Sequence, residues 1–331
     1  MHSAPLLAAD LPQAPPLRTA GIAGIAMATP ARVLANRAIA SRLRLDDGWI
    51  ESRTGIDERR YAGPDDTLVE LAAAAGARAL EAAGAEPAAV DLVLVATTTP
   101  DDVMPNAAPL VAHALGIPEP AAMDVGAACT GFLAALALGA GQVEAGRAQA
   151  ALVIGADLMS RLVDPDDRNT SVLFGDGAGA AVIAAAPASG RIGPSVVRSD
   201  GAGAELVAVP RAVGVMRMAG QDTFRAAVDR LAESTLEAIE RAGLTLEEID
   251  LFVYHQANGR ILSAVGRKLG LDPDRVVDCI RGYGNTSAAS IPIALCEARG
   301  AGRLFAGARV LVGAFGAGFI WGAAVIEWGD A

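Results

Sequence analysis

Two stretches of this chain are one segment written twice at a constant spacing. Ala83-Gly84, followed after five residues by Val90-Asp91-Leu92-Val93-Leu94-Val95, returns as Ala242-Gly243, followed after five residues by Ile249-Asp250-Leu251-Phe252-Val253-Tyr254. The shift that carries Asp91 onto Asp250 also carries Leu152-Val153 onto Leu311-Val312 and Cys129 onto Ala288. One offset that holds without gaps across three elements points to two copies of a strand–helix unit packed about a pseudo-two-fold axis. The boundary is expected between Pro187 and Ser199, giving halves over residues 18–190 and 191–331 after a Pro- and Ala-rich flexible leader at 1–17. In such a duplicate, equivalent loops of both copies converge on one central site.

The length of 331 residues exceeds one simple core, as two copies require. Hydrophobic content of 52% with only 4% aromatic means cores built from Ala, Val, Leu and Ile. Strands and helices alternate, as in an α/β protein. Thr67-Leu68-Val69-Glu70 is a capping box that opens a helix running to about Ala83. Buried strands are expected over Ala89–Ala96 and Ala151–Ala156. A second long helix starts near Asp222, with Phe224, Val228, Leu231 and Ile239 on one face. The apolar run from Val310 to Ile326 is broken by four glycines and reads as a buried hairpin rather than a membrane helix.

The net charge of −11 argues against nucleic acid as a general partner. The N-terminus carries no cationic region, so a secretory signal is not expected, nor is a membrane partner. Three cysteines without a CxxC pair suit a reducing cytoplasm. No metal site is expected, and the Gly-rich segments do not form GxGxxG, so a dinucleotide cofactor is unsupported.

Cys129 closes Met123-Asp124-Val125-Gly126-Ala127-Ala128-Cys129, a short strand with a small-residue turn, and precedes an apolar helix beginning Thr130-Gly131-Phe132-Leu133. A thiol in the first turn of a helix faces unpaired N–H groups and the positive end of the dipole, which is expected to lower its pKa from about 8.5 toward neutrality. In copy two, His255 follows an apolar strand, and Asn285 sits in the turn Gly282-Tyr283-Gly284-Asn285-Thr286-Ser287 before a helix. Taken singly, these are also a small buried residue, a core histidine and an N-cap. Together, in a fold that brings both copies to one cleft, they form a Cys-His-Asn set suited to thioester chemistry.

The chain resembles the β-ketoacyl-ACP synthase III family of the thiolase fold, from about Leu17 to the C-terminus. The matching motifs, in order, are Trp49-Ile50-Glu51-Ser52-Arg53-Thr54-Gly55-Ile56, Gly126-Ala127-Ala128-Cys129-Thr130-Gly131-Phe132, Phe174-Gly175-Asp176-Gly177-Ala178-Gly179-Ala180, His255-Gln256-Ala257-Asn258, Gly284-Asn285-Thr286-Ser287-Ala288-Ala289-Ser290 and Phe315-Gly316-Ala317-Gly318-Phe319. The resemblance implies a five-layer α-β-α-β-α architecture, a homodimer, and acyl-CoA and an acyl carrier protein (ACP) as substrate-bearing partners, with no cofactor. It implies that Cys129 takes an acyl group as a thioester and that His255 and Asn285 hold the oxygen of a decarboxylating malonyl thioester. The backbone N–H groups of Cys129 and Ala317 would form the oxyanion hole.

For coenzyme A, the resemblance assigns Trp49 and Arg168 to the adenine, Arg53 and Thr54 to nearby contacts, Ala219 and Gly220 to the tunnel wall and Asn258 to the pantetheine. Thr98, Met104, Met159, Phe174 and Leu206 would line the acyl pocket, Met104 from the dimer interface. Arg225, Gln256, Arg260, Arg267 and Lys268 would receive the acidic carrier protein. Met104 stands where acetyl-selective members often carry an aromatic residue, and Ala317 replaces a glycine. These departures imply a starter other than acetyl. The rival readings are a non-condensing acyltransferase of the same fold, which intact Asn285 disfavours, and a silent carrier-binding subunit, which the intact Cys-His-Asn set disfavours.

Overall fold

The structure, a computed structural model, describes residues 18–185 and 190–329; the expected leader at 1–17 lies outside the described residues. The first sheet contains β1 (Gly21–Ala28), β2 (Leu92–Ala96), β3 (Ala121–Val125), β4 (Ala150–Leu158) and β5 (Asp176–Ala184), in the spatial order β1-β5-β4-β2-β3. The second contains β6 (Gly190–Ser199), β7 (Leu251–Tyr254), β8 (Arg309–Gly316) and β9 (Ile320–Trp328), ordered β7-β8-β9-β6. The offset of the sequence is also the offset of the strand register. Leu92 pairs with Ala151 in parallel in the first sheet, and Leu251 pairs with Val310 in parallel in the second. In copy two the counterpart of edge strand β3 is reduced to a single parallel bridge, Phe252 to Val276.

The helices are α1 (Trp49–Thr54), α2 (Leu68–Ala83), α3 (Ala107–Ala114), α4 (Gly131–Glu144), α5 (Gly220–Arg241), α6 (Gly259–Leu269) and α7 (Ser290–Gly300). Alternation along β2 assigns the layers. Leu92, Leu94 and Ala96 face a central core with Phe132 and Leu136 of α4 and Ile291 and Leu295 of α7. Val93 and Val95 face the opposite way, onto α2 and α3. Val253 and Val312 of the second sheet join the same central core, while Phe252 and Leu311 pack against α5 and α6. A period of two in each buried strand thus gives both sheets two apolar faces. The result is α2/α3, sheet, α4/α7, sheet, α5/α6, the five layers of the thiolase fold.

Local chemistry matches most of the expected elements. Thr67 Oγ1 accepts from the Glu70 N–H at 3.1 Å and the Glu70 carboxylate accepts from the Thr67 N–H, so the capping box opens α2, which ends at Ala83. The apolar run folds as an antiparallel hairpin in which Val310 pairs with Ile326. Asp222 lies in the first turn of α5, which starts two residues earlier. The strand expected from Ala89 begins only at Leu92, because Pro87–Ala89 form a 3-10 turn. Among the described residues, no helix is long and apolar enough to cross a membrane.

Candidate active site

The two copies meet through matching turns. Ala128–Thr130 forms a 3-10 turn entering α4, and its offset counterpart Ser287–Ala289 forms one entering α7. Ala128 (φ 45°) and Ser287 (φ 51°) are both in the left-handed region, where non-glycine residues are uncommon. Thr130 N–H donates to Ala127 O at 3.0 Å and Ala289 N–H to Thr286 O at 3.1 Å, the same bond in each copy. Cys129 and Ala288 therefore hold equivalent positions at the centre of the molecule.

Cys129, His255 and Asn285 line one cavity of about 920 Å³. Asn285 reaches it because a copy-one loop and a copy-two loop cross beside it. Asn285 N–H donates to Leu173 O and Gly175 N–H to Asn285 O, both at 2.9 Å, forming an isolated parallel bridge between Phe174 and Asn285. Gly175 is required at the crossing: a Cβ there would lie 2.3 Å from Tyr283 O. The buried Arg59 guanidinium supports the same loop by donating to Val172 O and Asn36 Oδ1, both at 2.8 Å, and burial lowers its pKa to about 10, still a cation at neutral pH.

Hydrogen bonding orients the Asn285 amide. Its Oδ1 accepts from the Ser287 N–H at 2.9 Å, which leaves the Nδ2 hydrogens to face the cavity. His255 is buried, its ring edge-on to Phe315, and its Nδ1 has no hydrogen-bond partner among the described residues. Burial depresses its pKa to about 3, so the ring is neutral. An unpartnered Nδ1 favours the tautomer with the proton on Nε2, because a buried N–H without an acceptor is costly. The site thus presents two neutral N–H donors. His255 should consequently produce no inflection in malonyl decarboxylation between about pH 5 and 8. An inflection near pH 6.5 that disappears in His255→Gln would contradict this.

The expected lowering of the Cys129 thiol is not what the structure gives. Burial pushes it up to about 12, partly offset by the Ser287 side chain, with the Asp157 carboxylate pushing the same way as burial. A helix N-terminus contributes at most about 2 kcal/mol, roughly 1.5 pH units, which is too little to offset the burial. The surroundings of Cys129 thus favour the neutral thiol over the thiolate.

Among the described residues, no protein oxygen accepts from the Cys129 or Ala317 backbone N–H. Both residues line the cavity. Gly316 keeps the Cys129 N–H open: a Cβ there would stand 2.8 Å from that nitrogen and 3.2 Å from the nitrogen of Thr130. Gly316→Ala should reduce acyl transfer to the protein by about 10²–10³, the typical loss of one oxyanion donor. The check is single-turnover release of thiol from acyl-CoA; a wild-type rate would contradict the assignment of this N–H.

At the outer end of the cavity, Arg53 and Arg168 lie over the Trp49 ring, 4.4 and 5.0 Å from its centre. Gly220, Asn258 and Arg260 also line the cavity, and Arg53, Arg260 and Arg267 continue into an adjoining recess of about 770 Å³. Thr54 lines the cavity too, but its hydroxyl donates to Ile50 O and accepts from the Ile56 N–H. Thr98, Met159 and Phe174 line the inner part.

Four expected residues are not where the sequence suggested, and a fifth, Met104, was expected at an interface between two chains. Ala219 is exposed and off the cavity, which Met218 and Gly220 line instead. Leu206 ends the 3-10 turn Gly201–Leu206 and packs toward the α5/α6 core; Val207, Ala208 and Val209 take the pocket wall. Met104 is 82% exposed and does not reach the cavity of its own chain. Gln256 is no docking residue. It is 2% exposed, donates to Tyr254 O at 2.8 Å and Val277 O at 3.1 Å, and accepts from the Cys279 N–H at 3.0 Å, which fixes the end of β7 beside His255. Lys268 is exposed but paired with Asp229 on α5, apart from the recess that Arg260 and Arg267 line. Arg225 is exposed, 3.6 Å from Asp222.

Sequence reasoning missed Asp157 and Ser287, which flank the nucleophile turn. The available signal was positional: under the constant offset they are the counterparts of Gly316 and Ala128.

Comparison with known proteins identifies the family and the fold. Residues 123–201 match the family model for 3-oxoacyl-[acyl-carrier-protein (ACP)] synthase III, and residues 239–328 match the model for its C-terminal part. The chain is 44% identical to β-ketoacyl-[acyl-carrier-protein] synthase III 2 of Streptomyces coelicolor, over 94% of each chain. The crystal structure of 3-oxoacyl-(acyl carrier protein) synthase III from Pseudomonas aeruginosa matches with a TM-score of 0.91 and 40% identity, covering 94% of this chain and 99% of that one. The priming β-ketosynthase of the R1128 polyketide biosynthetic pathway also matches, with a TM-score of 0.91 and 36% identity over 96% of this chain and 98% of that one. The chain belongs to the β-ketoacyl-[acyl-carrier-protein] synthase III family.

Proposed function

We propose that the chain condenses an acyl-CoA starter with malonyl-ACP through an acyl-Cys129 intermediate, giving a 3-oxoacyl-ACP. In the first half-reaction the Cys129 sulfur attacks the acyl-CoA thioester, its oxyanion held by the N–H groups of Cys129 and Ala317. The S–CoA bond breaks and CoA leaves as the thiol with the proton that Cys129 gave up. In the second, the malonyl carboxylate departs as CO₂, and His255 Nε2–H and Asn285 Nδ2–H donate to the thioester oxygen as enolate charge develops. The enolate carbon attacks the acyl-Cys129 carbonyl, and Cys129 is released. Cys129 leaves as the thiolate and takes one proton from solvent; every other bond change balances within the two substrates, so the proposed reaction calls on no cofactor or metal. The observation that carries the reading is the oriented Asn285 amide, whose free donors share a cavity with the unshielded Cys129 N–H. A non-condensing acyl transfer has no use for that donor.

CoA enters along Trp49, Arg53 and Arg168; Arg168 lies 5.0 Å from the Trp49 ring centre, so the adenine takes its place between them only once the Arg168 side chain swings aside. Arg260, Arg267 and Arg225 attract the acidic carrier protein, against a chain of net charge −11. We also propose a homodimer. Val103 and Met104 are 77% and 82% exposed beside edge strand β3, whose outer side is unpaired in a single chain. In that dimer, Met104 closes the acyl pocket of the partner.

The pocket is lined by flexible Met159, Met216 and Met218 with Leu162 and Val172, which fits a starter longer than acetyl or branched. Rates of acyl-Cys129 formation from acetyl-, butyryl-, isobutyryl- and hexanoyl-CoA test this. At least one larger starter should exceed acetyl; a wide preference for acetyl-CoA would contradict it.

A further inference from the structure

Asp157 is fully buried at the end of β4 and has no cation among its hydrogen-bond partners. Its Oδ1 accepts from the Thr98 N–H at 2.8 Å and its Oδ2 from the Ala288 N–H at 3.1 Å. The hydroxyls of Thr97 and Thr99 lie 3.1 and 3.0 Å from Oδ1. Each of those hydroxyls already accepts a backbone N–H, from Thr99 and Leu158 respectively, so its own proton is free for the carboxylate. Burial leaves the Asp157 carboxyl above the usual carboxylate range, and the donors around it work against that shift by favouring the ionised form.

The duplication shows what this anion replaces. Under the constant offset Asp157 of copy one corresponds to Gly316 of copy two, and Cys129 corresponds to Ala288. In copy two, the N–H at the nucleophile's equivalent position therefore ends on the Asp157 carboxylate. In copy one, the equivalent N–H belongs to Cys129, and Gly316 leaves the space before it open. One of two matching anion sites is permanently filled, and the other is free for a thioester oxygen. Asp157 also ties Thr98, a wall of the cavity in copy one, to the turn of copy two that carries Ser287 and follows Asn285.

We propose that Asp157 is a positioning residue: its carboxylate is the resident anion of a closed second oxyanion site and fixes the turn that aims Asn285 and whose Ser287 side chain faces the Cys129 thiol. This rests on Cys129 being the acyl carrier. Asp157 is the charged group that acts on the thiol, since His255, in the same cavity, is neutral. The two neighbours act in opposite senses: the Asp157 charge disfavours the thiolate and the Ser287 side chain favours it.

The test measures Cys129 alkylation by iodoacetamide from pH 6 to 10, together with condensation kinetics, in wild type, Asp157→Asn and Ser287→Ala. Asp157→Asn removes the negative charge and puts a donor against backbone donors. Its alkylation at pH 8 should rise about tenfold, the effect of a downward pKa change of one pH unit. Its condensation kcat should fall about tenfold or more, with the KM for acyl-CoA within about twofold, as for an interaction felt only in the transition state. Ser287→Ala keeps the turn, since Ala128 adopts the same conformation in copy one. Its alkylation should fall. Alkylation and kcat that move together in Asp157→Asn, or neither moving, would overturn the proposal. Should Asp157→Asn not fold, Ser287→Ala decides: slower alkylation supports the proposal, and an unchanged or faster rate overturns it. A wild-type chain that takes no acyl group would instead sink the nucleophile assignment.

Discussion

Cys129→Ala should abolish acyl transfer from acyl-CoA, with condensation falling on the order of 10⁴-fold or more, while malonyl-ACP still loses CO₂. The two effects separate because the chemistry is divided between the copies. Cys129 supplies the only sulfur lining the cavity that could carry a thioester; Cys279 and Cys296 do not line it. Losing a nucleophile outright leaves only binding and oxyanion stabilisation, hence the size of the effect. The enolate oxygen, by contrast, is held by His255 and Asn285, which do not depend on the thiol. Alanine is tolerated at the site, since Ala288 occupies the equivalent position in copy two with the same turn. Intact mass after exposure to acyl-CoA and release of CO₂ from malonyl-ACP read the two halves separately. Acylation that survives in Cys129→Ala would contradict the account.

Asn285→Ala should give the complementary result. Acyl-Cys129 should form at a near-normal rate, while decarboxylation and condensation fall by about 10²–10³, the cost of one donor to a developing oxyanion. The amide is constrained on its oxygen side by the Ser287 N–H, so no rotation is needed to present Nδ2. Asn285→Asp keeps that acceptor but replaces the donor with a charge that repels the enolate, and it should be at least as slow. Equal loss of both half-reactions would point instead to collapse of the Phe174–Asn285 crossing.

Much of the architecture was legible because the duplication is written at one constant spacing. β2 and β7, β4 and β8, the two 3-10 turns and helices α4 and α7 all obey it, and the apolar alternation of β2 placed the layers. The cavity location of Cys129, His255 and Asn285 was legible for the same reason. What was not legible depends on surroundings that spacing does not carry. The thiol's pKa is set by burial, which outweighs the local helix terminus. Gln256, in a motif with His255, turns inward because three backbone groups need its amide. Leu206 misses the pocket because it ends the 3-10 turn Gly201–Leu206 and packs toward the α5/α6 core. Asp157 reads in sequence as one carboxylate after an apolar strand, and only its place opposite an open glycine reveals its function.

The central claim is that Cys129 carries the acyl group and that the same cavity then decarboxylates malonate onto it. The most direct measurement is intact mass with peptide mapping after acyl-CoA, and again after malonyl-ACP is added to the washed acyl-protein. The account predicts one acyl adduct per chain on the peptide containing Cys129. On adding malonyl-ACP, that adduct should disappear as one CO₂ and one 3-oxoacyl-ACP form. An adduct on Cys279 or Cys296, or an acyl-Cys129 that stays in place when malonyl-ACP arrives, would contradict it.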